Sequence, residues 1–122
     1  MLANVAVAAS IVVIAAATLT SQEAEREVRL RPLSDIGEAV LGPDKALLAE
    51  SIANILLFVP LGAALRLRGL ALVRAALFGL VASAVVEGAQ LLLVSGRTSS
   101  FDDLVLNTLG VVLGHVLISR WQ

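Results

Sequence analysis

Glu87 is the residue of this chain best placed to do chemistry, because it sits in an otherwise apolar run from about Leu70 to Val94. That run is long enough to cross a bilayer at ~1.5 Å per helical residue. A carboxylate at the centre of such a run costs roughly 2.5–3.5 kcal/mol, so groups of this kind usually face a bundle interior and serve a function. Other polar residues stand at the ends of neighbouring apolar runs. Glu50 and Asn54 open one, Gln90 follows Glu87, Arg97 lies in a connection, and Asp102, Asp103 and Asn107 open the last. Amides offer hydrogen bonds, Arg97 a cationic contact for phosphate or carboxylate, and Glu87 with Asp103 the acidic counterparts. Two carboxylates also suit acid–base work or Mg²⁺, but no recognisable metal-ligand spacing accompanies them. His115 lies twelve positions after Asp103, or about 18 Å along a helix, and reads as a packed or interface-facing residue. No catalytic residue, metal or cofactor is assigned.

The elements that must position these groups follow from hydropathy. Hydrophobic residues make up 58% of the 122 residues and mean hydropathy is +0.93. A soluble domain of this size could not hide so much apolar surface, whereas a membrane can. Four candidate spans appear at about Leu2–Thr20, Ser51–Leu67, Leu70–Val94 and Leu104–Ser119. Each must be helical, because lipid offers an open backbone no partner. The first lacks a basic start and exceeds the apolar length of a signal peptide, so it reads as a retained helix. The expected fold is all-α: a polytopic membrane protein of four transmembrane helices in one domain, residues 1–122.

The polar segment Ser21–Glu50 opens with a charge run, QEAEREVRLR, that reads as solvated. Asp35 and Glu38 then form a capping box for a short helix lying on the membrane surface; a merely exposed linker fits equally well. Asp44 can cap the second span. The turn carrying Arg66, Arg68 and Arg74 holds no acid, the pattern of a cytoplasmic loop. Both termini are therefore expected inside and residues 21–50 outside, with Arg120 and Trp121 at the inner interface. Net charge is −1 without a basic tract, which excludes nucleic acid as a partner class. The absence of cysteine excludes disulfides and thiolate metal sites.

Consecutive spans alternate direction, so the polar ends of the second, third and fourth spans share one membrane face. At about 100° per residue, Ser83, Glu87 and Gln90 form one stripe. Asp103, Asn107, Gly110 and Gly114 form another, with Asp102 pointing away from it. Gly110-Val-Val-Leu-Gly114 permits close approach of a second backbone, within the chain or in a homo-oligomer. Pro60 is expected to bend the second span and open room beside Glu87. Asn54, Gln90 and Asn107 also fit a role as interhelical hydrogen-bonding residues alone.

These residues, taken in order, resemble the VanZ-like family of membrane proteins, named for a teicoplanin-resistance protein. The pattern is Asn54, Phe58, Pro60 and Gly62, then Glu87 and Gln90, Arg97, and Asp102, Asp103, Asn107, Gly110 and Gly114, covering Asn54 to Gly114. Each element alone is weak; their order and spacing together are specific. The resemblance implies a four-helix integral protein of the bacterial cell membrane, with some relatives linked to lower glycopeptide susceptibility by a mechanism not established as enzymatic. It leads to Asn54, Glu87, Gln90, Arg97, Asp102, Asp103 and Asn107 as ligand-binding candidates for a membrane lipid or lipid-linked amphiphile. A lipid-modifying enzyme and a small transporter or complex subunit are the alternatives.

Overall fold

The computed structural model describes residues 1–19, 28–29, 45–93 and 99–121. They form four helices, α1 (Leu2–Leu19), α2 (Lys45–Leu67), α3 (Leu72–Leu93) and α4 (Phe101–Ser119). Two short strands, β1 (Val28–Arg29) and β2 (Ser99–Ser100), complete the described elements. The surface helix expected at 35–41, and Asp44 and Arg97, lie outside the described residues, as does the side chain of Glu50.

The helices depart from the hydropathy boundaries for local reasons. α2 begins at Lys45, six positions before its apolar stretch, directly after the expected cap at Asp44. It ends in a tight closure: Gly69 takes φ +77°, its N–H donates to Arg66 O at 2.8 Å, and that of Leu70 to Leu65 O at 3.2 Å. This pair of bonds is the Schellman arrangement, which needs a left-handed residue that glycine adopts without strain. It satisfies two carbonyls that a helix end would otherwise leave open. α3 therefore starts at Leu72, beyond the turn. α4 starts at Phe101, so Asp102 and Asp103 fall in its first turn, where negative charge meets the positive end of the helix dipole. α2 runs unbroken through Pro60.

α4 is the central element. It runs parallel to α2, pairing Asn54 with Asp103 near their starts and seating Gly114 on Val59 further along. It runs antiparallel to α3, pairing Asn107 with Ser83 and Val111 with Gly79. A Cβ at Gly110 or Gly114 would strike the carbonyls of Ile55 and Val59, and one at Gly62 the backbone of Val111. The backbones of α2 and α4 are thus in direct contact, and the Gly110/Gly114 face is occupied within the chain. Around this crossing Phe58, Leu61, Leu65 and Val111 are fully enclosed, with Val7 and Ile14 of α1 in the same cluster. Beside Pro60 a groove of about 230 Å³ is lined by Ala9, Ser10, Val13 and Leu57. The space next to the proline faces α1, and Glu87 is not on its wall.

β1 and β2 pair in parallel, Val28 with Ser99 and Arg29 with Ser100. Part of the charge run read as solvated is therefore held by backbone hydrogen bonds at the start of α4.

Candidate functional site

The burial pattern inverts that of a water-soluble domain. On α3 the enclosed column is Ala75, Gly79, Ser83, Glu87 and Gln90, whereas Val73, Leu77, Leu80, Val81, Val85 and Leu92 are exposed. Small and polar residues face inward and large aliphatic ones outward, the arrangement that hydrocarbon around the bundle demands.

Two hydrogen bonds set the vertical scale of the polar end. Asn107 Nδ2 donates to Ser83 Oγ at 2.8 Å, and both residues are buried. Asn54 Nδ2 donates to Asp103 Oδ1 at 2.7 Å in a half-buried position. Asp103 lies four residues before Asn107 on α4, and Glu87 four residues after Ser83 on the antiparallel α3. Both carboxylates therefore stand about 6 Å above the Ser83–Asn107 bond, on the same level. Gln90 continues the α3 column toward the bundle end. Glu87 is only 7% exposed and Gln90 2%, so both turn inward, as their spacing predicts.

The polar cluster has two levels, Ser83 with Asn107 at one and Asn54 with Asp103 at the next. The Asn54 amide is a neutral donor to an acidic oxygen, a contact that holds α2 against α4 without a second charge. Asn107 Oδ1 is enclosed, and no hydrogen-bond donor among the described residues reaches it. A buried amide oxygen without a donor costs about 1–3 kcal/mol, so this atom retains unused accepting capacity. No group of three or more His, Asp or Glu side chains capable of holding a metal occurs among the described residues.

Asp102, expected to point off the stripe that Asp103 begins, is fully enclosed. Its later column-mates Leu109 and Leu113 are exposed. Leu106, one turn along, is also buried, and the β1–β2 pair lies directly before this first turn. The single stripe expected on α4 is in fact two residues wide. Asp103, Gly110 and Gly114 address α2, while Asn107 and His115 address α3 and the turn before it. Ser51, one turn before Asn54, is a further buried polar residue; its i, i+3 spacing from Asn54 is the signal that could have found it.

His115 is packed, as expected. Its Nε2 lies 2.8 Å from Leu70 O, and a carbonyl only accepts, so this nitrogen carries the proton. The contact ties the far part of α4 to the α2–α3 turn.

Four helices with an inward polar column and an outward aliphatic surface define a helical membrane protein. Two of them, over Leu72–Leu92 and Phe101–Ser119, are long and apolar enough to cross a bilayer; the apolar parts of the others, Leu2–Ala16 and Ser51–Leu67, are shorter. The VanZ/LLP1 family model matches residues 2–122, and the chain belongs to that family. The match takes in the first helix and the polar segment, beyond the Asn54–Gly114 motif. No curated protein and no solved structure matches the chain.

Proposed function

We propose that this chain is a multi-pass protein of the bacterial cell membrane, with all four helices spanning and both termini inside, whose outer-face recess takes the head group of a lipid or lipid-linked amphiphile. The observation that carries this reading is the enclosed Asn107 Oδ1, which meets no donor among the described residues, within a cluster of inward polar groups from three helices. Packing alone asks for one or two interhelical hydrogen bonds; it does not ask for a buried acceptor left over. In this reading Asn54, Gln90 and Asn107 offer hydrogen bonds, and Glu87 with Asp103 receive hydroxyl or ammonium groups. Asp102 shapes the entrance, and Arg97 meets phosphate or carboxylate. Binding rather than turnover is the proposed role, and an effect on glycopeptide (teicoplanin-type) susceptibility would follow from what occupies the recess.

The test is unbiased identification of lipids that stay with the protein after gentle extraction, comparing the native chain with Glu87→Gln and Asn107→Leu. Native chain should retain a defined lipid class that both variants lose at equal membrane abundance. The same lipids at the same stoichiometry in all three would eliminate the reading.

A further inference from the structure

The opposite end of the bundle carries a second, differently built surface. Arg66 closes α2, Arg68 and Arg74 flank the turn to α3, and the His115–Leu70 bond brings the end of α4, with Arg120 and Trp121, to the same place. No Asp or Glu occurs between Glu50 and Glu87, or after Asp103. The nearest acid beyond Arg74 on its own helix is Glu87, thirteen residues away and so about 20 Å up the helix. Four of the nine basic residues thus share one end without an acidic counterpart among the described residues. Arg68, Arg74 and Arg120 are exposed, whereas Arg66 is half-buried. Its Nε is enclosed and donates to no acceptor among the described residues.

We infer that this end binds the phosphodiester head groups of anionic membrane lipids, with Arg66 as the positioned member of the set. A planar guanidinium held at one edge by packing presents its remaining N–H groups in a fixed fork, which matches phosphate oxygens. The surroundings select a lipid over a soluble anion. Leu67, Leu72 and Leu117 are exposed beside the arginines, and Trp121 projects at the same level, as indole does at a membrane interface. A ligand that joins a phosphate to acyl chains satisfies both.

The full chain, purified in mild detergent and offered equal amounts of phosphatidylglycerol and phosphatidylcholine, tests this by native mass spectrometry. Phosphatidylglycerol should be retained preferentially, by about five-fold for each arginine engaged, with the preference shrinking in high salt. It should largely vanish in an Arg66→Gln, Arg68→Gln, Arg74→Gln chain. Should that chain not fold, the pair Arg68→Gln, Arg120→Gln, both at exposed positions, should still lower the preference. Equal retention of the two lipids by the native chain overturns the inference, as does an undiminished preference in the exposed-pair variant. Glu87→Gln should leave the preference intact; its loss there would move the site to the other end and overturn the assignment here.

Discussion

α4 meets its two neighbours by different means. Against α2 it uses glycine, and the backbones touch at Gly62, Gly110 and Gly114. Against α3 it uses side chains, with Asn107 on Ser83 and Val111 in the space left by Gly79. The first contact leaves no volume between the helices. The second sets buried polar atoms between them. One helix can therefore serve as a rigid wall on one side and a polar wall on the other, because the small residues are confined to the column that addresses α2.

This contrast ranks the expected effects of substitution. Gly114→Val should be the most damaging, at about 3 kcal/mol or more, because the new side chain meets the Val59 carbonyl and the backbone nitrogen of Ala63, which cannot turn aside. Thermal unfolding in detergent measures this, and a native-like midpoint would show that the crossing is looser than described. Gly79→Ala should cost less, about 1 kcal/mol, since its Cβ lies 2.7 Å from a Val111 methyl that can shift slightly. On the polar side, Ser83→Ala should destabilise by about 1 kcal/mol, as it strands the buried Asn107 amide. Adding Asn107→Leu should recover part of that loss, because removing both partners leaves nothing unsatisfied. A double variant less stable than the sum of the single effects would contradict this account. The smallest effect should be the coupling of Asn54 with Asp103. A double-mutant cycle of Asn54→Ala and Asp103→Asn should give about 0.6 kcal/mol, consistent with a half-buried rim contact.

The same contrast explains what the sequence makes legible. The polar part of the α3 column is legible, because Ser83, Glu87 and Gln90 stand out against aliphatic neighbours and helical spacing alone puts them on one side; Ala75 and Gly79, which continue it, carry no such mark. On α4 the spacing showed which residues face inward but not that two different helices receive them. That depends on the arrangement of neighbours around the axis, which periodicity does not encode. The burial of Asp102 is not legible from spacing alone, because its side of the helix holds buried Leu106 beside exposed Leu109 and Leu113. Pro60 marked a place where space opens, but the side on which it opens depends on where α1 packs. Hydropathy located the apolar lengths of the helices; Lys45 and Phe101 show that the hydrogen-bonded helices extend beyond them. The two-residue pairing of β1 with β2 has no signature in so short a stretch. The motif from Asn54 to Gly114 was specific enough to indicate the family, and its match over residues 2–122 extends the relationship to parts that carry no readable chemistry.

The placement of α4 between its neighbours has a consequence for biogenesis. It leaves the ribosome after the helices it packs against, yet it supplies the partner for Asn54, the partner for Ser83 and the donor for the Leu70 carbonyl. Until it arrives, Asn54, Ser83 and the Leu70 carbonyl of the nascent α2–α3 hairpin lack these partners. Chains truncated at Ser100 should therefore be recognised by membrane quality-control proteases and cleared, while full-length chains persist.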